Sequence, residues 1–251
     1  MQGACRGRDR QVPFTLSSAM PTAHPLDRPV WSALTGRQAS FTVVDGRARR
    51  FTPDVGVFAA VEDASPASLQ ALAALIRAYG PVVLMEAAAP PPIPGVAVAG
   101  QAPCVQMIME EPLDAPATDL PIQALSETDA PQMLELALLT RPGPFAVRTN
   151  QLGAFIGIKA EGCLVAMAGE RLQPKGCTEV SGVCTHPDYR GRGYAAALMR
   201  QVAAGVRARG ETPFLHAYSS NTGAIALYRS LGFVLRRELV ATSLAAEEDP
   251  S

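Results

Sequence analysis

Apolar residues recur along this chain with two spacings, one typical of helices and one typical of strands, and the two alternate. Helical spacing over 66–79 is preceded by Ser65, an N-cap residue, starts with Pro66 and is followed by Gly80. The same spacing predicts three further helices, over 126–140, 196–209 and 221–231. Short helices separated by strands indicate an α/β chain.

Strands are predicted where apolar residues alternate with polar ones or form short continuous runs. Asp45-Gly46, between two such runs, is a strong signal of a β-hairpin. Ala160-Glu161-Gly162 indicates a second turn, between two antiparallel strands over 153–172. The remaining strands are expected at 55–61, 81–86, 104–109, 122–125, 178–185, 212–220 and 233–244.

The clearest boundary in the chain is the acidic, proline-bearing stretch EEPLDAPATDLP at 110–121, which has no periodicity and is typical of a linker. It predicts an N-terminal α/β domain, with a supporting role and no concentrated site chemistry, followed by a second domain. We expect residues 1–19 to be a disordered extension, or else Met20 to be the true start. Domains are expected at 20–110 and 119–245, a linker at 111–118 and a tail at 246–251.

Composition and charge narrow the range of partners. The chain has 251 residues, 48% of them hydrophobic and 18% charged, with a formal net charge of −1. Because a nucleic-acid-binding protein is expected to be basic, nothing here predicts such a partner, and no apolar run is long enough to span a membrane. The five cysteines and three histidines are scattered, so we expect no disulfide framework, no metal site and a cytoplasmic location.

The stretch HPDYRGRGYAAALM, residues 186–199, fits two phosphate-binding signatures. The pattern G-x-G-x-x-A from Gly191 matches a Rossmann dinucleotide fingerprint, and R-x-x-G-x-A from Arg190 matches the pyrophosphate loop of acyl-CoA-dependent acetyltransferases. A Rossmann loop follows its strand directly and opens the first βαβ unit, whereas here the polar HPDY intervenes after two antiparallel strands. The candidate ribose-binding acid, Glu211, begins its strand instead of ending it. These differences favour CoA over a nicotinamide cofactor.

The loop and a second motif together resemble a known superfamily. VCTHPDYRGRGYAAALM at 183–199 is followed, after an intervening strand, by NTGAIALYRSLGF at 221–233, which has the form N-x-x-A-x-x-x-Y-x-x-x-G-F. The two motifs resemble the GCN5-related N-acetyltransferase (GNAT) superfamily, with spacing closest to its FR47-like branch, over residues 119–245. The resemblance implies a mixed, mostly antiparallel sheet flanked by helices, and acetyl transfer from acetyl-CoA to an amine. The N-terminal domain could be a degenerate copy of the same fold.

By this resemblance, the cofactor lies between the loop and the strand that precedes it. Glycines in the loop let the backbone approach a pyrophosphate at the N-terminus of the following helix, a position that attracts anions. In the superfamily that strand splays from its neighbour, and its free backbone groups bind the pantetheine arm. The predicted cofactor-binding residues are Val183, Thr185, Arg190, Gly191, Arg192, Gly193, Tyr194, Ala195 and Asn221.

Two residues are predicted to carry the proton transfers that direct attack by a neutral amine requires. Tyr228 matches the tyrosine that protonates the CoA sulfur in many members of the superfamily. Glu179 has the same offset from the loop as the general-base glutamate of the histone-acetylating branch. Strict alternation places it on the strand face of Val183 and Thr185, so it is expected to point into the groove. A water molecule in place of Glu179 remains an alternative.

Other polar residues are given structural roles. Cys184 is expected to be a buried filler and His216 a packed core histidine.

The acceptor is predicted to be a primary amine of a small molecule or an amino acid, bound by the early helices and the N-terminal domain. The alternative function is a catalytically silent acyl-CoA-binding sensor, because cofactor binding requires only the loop and the splayed strands.

Overall fold

The structure is a computed structural model that describes residues 24–111 and 118–247. The predicted extension at 1–19 lies outside the described residues, as do most of the predicted linker and the end of the predicted tail. The described helices are α1 (Pro29–Thr35), α2 (Pro66–Tyr79), α3 (Ala130–Thr140), α4 (Tyr194–Ala208) and α5 (Thr222–Ser230). The described strands are β1 (Thr42–Asp45), β2 (Ala48–Phe51), β3 (Ala59–Val61), β4 (Val82–Glu86), β5 (Val96–Ile108), β6 (Ile122–Leu125), β7 (Phe155–Ala160), β8 (Cys163–Glu170), β9 (Cys177–Thr185), β10 (Thr212–Tyr218) and β11 (Val234–Ala246).

Eight of these strands form one sheet, in the order β4-β11-β5-β10-β9-β8-β7-β6. Its pairings are antiparallel except for the parallel pair of β9 and β10. Both α3 and α4 contact β8 and β9, but through separate apolar clusters, so the two helices lie on opposite faces. This mixed, mostly antiparallel sheet flanked by helices confirms the predicted fold class. Across the described ranges, every helix is too short or too polar to cross a bilayer.

The N-terminal half supplies two strands to this sheet. β5 lies between β10 and β11 and pairs with both, and β4 pairs with the outer edge of β11. β1, β2 and β3 form a separate three-stranded sheet against which α2 packs. The sheet is therefore continuous across the predicted boundary at 111–118, and the division into two domains stays a prediction.

Local signals in the sequence correctly predicted the ends of one helix and one hairpin turn. Ser65 caps α2 and accepts a hydrogen bond from the Ser68 N–H at 3.4 Å, and Gly80 follows the helix with φ of +85°. Asp45 pairs with Ala48 across the predicted hairpin turn, where Gly46 has φ of +48°. These predictions are confirmed.

Two elements differ from the predictions. The short helix α1 was not predicted, and it depends on tertiary packing because Val30 and Leu34 are buried in the core. β5 begins at Val96, well before the predicted start at Cys104. Residues 97–101 are exposed, and this part of β5 pairs with β11 along one edge. The alternation of apolar and polar positions expected of a half-buried strand is therefore missing there.

Candidate active site

A cleft opens where β9 and β10 separate. The two strands pair over only three positions, from Cys177 with Thr212 to Glu179 with Phe214. Beyond them the strands diverge, and two cavities meet in the gap. We call them the outer cleft, which is lined by the loop at 190–196, and the inner cavity, which extends toward the N-terminal half. They share Pro142, Gly143, Val183, Tyr218, Asn221 and Tyr228.

Gly182 forms a bulge in β9 at the point where the cleft opens. Along β8, Met167 pairs with Cys184 and Gly169 with Ser181, so β9 carries one residue more than β8 here. Gly182 has φ of +63°, and a Cβ at this position would lie 2.9 Å from Cε1 of Phe155. Both observations require glycine.

The bulge reverses the alternation of side chains along β9. Val180 packs in the apolar cluster of α4, whereas Cys184 packs in that of α3. Strict alternation would have placed both on one face. The sequence-based assignment of faces in this strand is therefore wrong, although Cys184 is buried as predicted.

The free edge of β9 presents backbone groups to the outer cleft. The N–H of His186, which follows β9, donates to the carbonyl of Val165 in β8 at 2.8 Å. Because backbone groups alternate between the two edges of a strand, those of Thr185 and Val183 point to the opposite side. Within the described residues, the buried Thr185 hydroxyl has no hydrogen-bond partner. These groups fit an extended ligand that carries amides.

The glycine loop ends at the N-terminus of α4. Gly191 and Gly193 have φ of +76° and +75°, and Gly193 is the N-cap of the helix. The N–H of Ala197 makes the first helical hydrogen bond, to Gly193 at 3.1 Å. Among the described residues, the N–H groups of 194–196 have no backbone acceptor, and such a helix terminus attracts anions.

Two arginines lie beside this helix terminus. Arg190 is exposed, and the guanidinium of Arg192 lies 4.7 Å from the ring centroid of Tyr189. Arg192 also donates to the carbonyl of Asp188 at 3.4 Å. Both supply positive charge at the mouth of the outer cleft. Together with Tyr194 and Ala195, all the predicted loop residues line this cleft.

Tyr228 and Asn221 lie where the two cavities meet. Asn221 caps α5, where its Oδ1 accepts a hydrogen bond from the Ala224 N–H at 3.2 Å. The half-buried Tyr228 packs edge-on against Phe233, and burial raises the pKa of its hydroxyl. The hydroxyl therefore keeps its proton at neutral pH and can act as an acid.

Glu179 lies in a buried ion pair, outside the residues that line either cavity. Its side chain is 1% exposed, and its two oxygens accept hydrogen bonds from Nε and Nη2 of Arg171 at 2.9 Å and 2.8 Å. The backbone N–H of Leu172 and Nδ1 of His216 add further contacts at 3.2 Å and 2.8 Å. Burial alone raises the pKa of Glu179, but the charge and hydrogen bonds of Arg171, together with the hydrogen bond from His216, outweigh it and hold the pKa well below its usual range. The prediction that this carboxylate faces the groove is wrong.

Sequence reasoning missed three contributors to the site. Gly182 carries a usable signal, because glycine inside a strand pattern indicates a bulge. Arg171 lines the inner cavity, and Pro142 and Gly143 line both cavities, but none of them belongs to a recognisable motif. His216 is buried as predicted, with a side chain 4% exposed, and it also borders the inner cavity.

Comparisons with known proteins agree with this geometry. The family model of FR47-like proteins matches residues 155–241. The chain is 34% identical over 123 residues to the N-alpha-acetyltransferase RimI of Mycobacterium tuberculosis, across 45% of this chain and 77% of that protein. A crystal structure of a GNAT-family protein from Novosphingobium aromaticivorans is 49% identical, with a TM-score of 0.83, and the match covers 90% of this chain and 100% of that one.

A more distant structure shares the fold alone. A GCN5-related N-acetyltransferase from Kribbella flavida is 19% identical, with a TM-score of 0.58, across 88% of this chain and 94% of that chain. The two closer relatives above are similar over most of their own lengths, and the FR47-like match contains both the glycine loop and Tyr228. The chain therefore belongs to the GNAT family of acetyltransferases, whose members use acetyl-CoA.

Proposed function

We propose that this protein transfers an acetyl group from acetyl-CoA to the primary amine of a small molecule or an amino acid, by direct attack within a ternary complex. The observation that carries the proposal is that two cavities meet at Tyr228. One ends at the glycine loop and the other at a buried guanidinium. Two substrates held on either side of one tyrosine need no covalent enzyme intermediate.

The residues of the outer cleft fit acetyl-CoA, which supplies the acetyl group as a thioester. The free N–H groups at the start of α4 suit its pyrophosphate, with Arg190 and Arg192 beside them. The free edge at Val183 and Thr185 suits the amides of the pantetheine arm. The Asn221 side chain lies along the same path, toward Tyr228.

The transfer forms one C–N bond and breaks one C–S bond, and it moves two protons. Tyr228 donates its proton to the departing sulfur, a role that its raised pKa supports because the hydroxyl stays protonated. The attacking amine loses one proton. Glu179 is a poor acceptor for that proton because its pKa is held low and its oxygens are bonded to Arg171, so water is the favoured base.

Tyr228→Phe tests the proposal. We expect kcat to fall by about 10²-fold or more, the usual size of a general-acid contribution, while the Kd for acetyl-CoA stays within about twofold. Tyr218→Phe is the matched control, since Tyr218 lines both cavities but is exposed. Its kcat should change by less than about threefold, as expected for a residue that transfers no proton.

Two results would contradict the proposal. If Tyr228→Phe retains full turnover on the best acceptor, Tyr228 is not the acid. If the wild type binds acetyl-CoA by calorimetry but releases no CoA with any member of a broad amine panel, the protein is a sensor of acyl-CoA and not an enzyme.

A further inference from the structure

The inner cavity has an apolar wall that comes from the N-terminal half. Its volume is about 740 Å³ when the solvent-filled space of its open mouth is included. Phe58, Val83, Met85 and Cys104 line one side. Phe58 and Val83 are held together by a β-bridge, so this wall is part of a sheet and not of a loose loop.

The polar end of the inner cavity is the guanidinium of Arg171. Two of its nitrogens bind Glu179, and its Cζ lies 4.8 Å from the ring centroid of Phe58. Among the described residues, the third nitrogen, Nη1, has no hydrogen-bond acceptor. It lies 3.9 Å from the position of a Cβ on Gly143, a residue shared by both cavities. This donor is fixed in orientation and is available to a ligand.

The pair of Arg171 and Glu179 leaves this end of the cavity without net charge. Gln106 donates from Nε2 to the carbonyl of Leu26 at 3.1 Å and approaches Nε2 of His216 at 3.1 Å. His216 therefore accepts at Nε2 and donates from Nδ1 to Glu179, which is the neutral tautomer. A ligand carboxylate at Arg171 would add an uncompensated negative charge beside Glu179, whereas an uncharged carbonyl oxygen would not.

On the basis of the proposed function, we propose that the inner cavity binds the acceptor. We propose further that the acceptor is an α-amino amide with an apolar side chain. Its carbonyl oxygen accepts a hydrogen bond from Nη1 of Arg171. Its side chain packs against Phe58, Val83 and Met85. Its amine then lies toward Tyr228, where the two cavities meet.

Four acceptors separate the parts of this proposal: L-leucinamide, glycinamide, 3-methylbutylamine and L-leucine. L-leucinamide carries both the amide and the apolar side chain. Glycinamide lacks the side chain, 3-methylbutylamine lacks the carbonyl, and L-leucine has a carboxylate in place of the amide. With saturating acetyl-CoA, kcat/KM is measured from released CoA thiol and expressed per concentration of neutral amine. L-leucinamide should exceed each of the others by about 10-fold or more, the discrimination that one apolar or hydrogen-bonded group provides.

Val83→Phe tests the apolar wall, because it fills part of the inner cavity from a half-buried position. We expect kcat/KM for L-leucinamide to fall by about 10-fold or more while that for glycinamide changes less than about threefold. Val98→Phe makes the same change on an exposed part of β5 and should alter neither. The tripeptide amide Leu-Ala-Ala amide then shows whether the amide belongs to a free metabolite or to the first residue of a peptide, according to which reacts faster.

The inference and the proposed function fail in different ways. Equal kcat/KM for L-leucinamide and glycinamide, or an unchanged ranking in Val83→Phe, would overturn the inference and leave acetyl transfer intact. If no amine is acetylated, calorimetric titration of L-leucinamide into the CoA complex decides whether the inner cavity binds this amide. Binding that Val83→Phe removes and Val98→Phe preserves would support the cavity assignment without the enzyme activity, and no binding would overturn it.

Discussion

The outer cleft and the inner cavity meet at one tyrosine but are built in different ways. The outer cleft uses backbone groups and glycines of the stretch 183–196, with α5 and residues 140–143 as its other walls. The inner cavity uses side chains from both halves of the chain, held by a buried ion pair. Under the proposed function, a cofactor common to many enzymes would be bound by local backbone geometry and a specific acceptor by long-range side-chain contacts.

The largest effect on stability is expected from Glu179→Gln, which removes the buried ion pair that holds Arg171 at the inner cavity. It leaves the buried Arg171 guanidinium without its counter-charge, and such a loss typically costs about 3–5 kcal/mol in the free energy of unfolding. Urea denaturation at pH 7 measures it. Glu62→Gln is the control, because its partner Arg47 is exposed and the pair should contribute less than about 1 kcal/mol. A loss of similar size in both variants would contradict the assigned role of Glu179.

The stabilising effect of Glu179 is also expected to depend on pH. The pKa of Glu179 in the folded protein is well below its value in the unfolded chain, which is about 4.3. Its stabilisation is therefore complete above that value and is lost as the pH falls toward the folded-state pKa. The difference between wild type and Glu179→Gln should narrow below about pH 4. A constant difference down to pH 3 would contradict this.

Gly182→Ala should damage both cavities at once, because the bulge lies between them. The positive φ and the close approach to Phe155 together should cost about 1–3 kcal/mol. We expect weaker acetyl-CoA binding and a higher KM for the acceptor. Gly176→Ala has a similar φ of +72° but nothing within 4 Å of its Cβ, so the difference between the two isolates the contact with Phe155. Equal losses would show that only the φ matters.

Gly193→Ala should affect the outer cleft alone. A non-glycine residue in the left-handed conformation costs about 1–2 kcal/mol. If that strain shifts the loop, the Kd for acetyl-CoA rises by about 10-fold. The KM for the acceptor should stay within about twofold at saturating acetyl-CoA. Parallel rises in both constants would contradict the separation of the two sites.

The smallest effect, and of opposite sign, is expected from Gly205→Ala. Gly205 lies inside α4 at an exposed position with open space around its Cβ. Alanine there should stabilise the protein by about 0.5–1 kcal/mol in thermal or urea unfolding and leave activity unchanged. It also serves as the matched control for Gly193→Ala. A change in acetyl-CoA affinity would show that the loop responds to the helix interior.

The sequence predicted the outer cleft far better than the inner cavity. Gly191 and Gly193 act through their own backbone, so a local motif is enough to identify them. Glu179 was assigned to the groove from its offset and from alternation, but its environment depends on Arg171, His216 and the bulge. The bulge has a signal in the strand itself, at Gly182, but the contacts with Arg171 and His216 are made by residues outside it. The same limit applies to the fold, where caps and turns were predicted and the position of β5 was not.

The insertion of β5 between β10 and β11 bears on how the chain can fold. Both partners of β5 come after residue 211, so the pairings of this strand close loops of more than a hundred residues. Until β10 is available, β5 has neither neighbour, and without β5 the strands β10 and β11 cannot be joined. Such non-local contacts slow folding. A fragment limited to 119–245 would lack the central strand between them and would expose two sheet edges open to association with other chains.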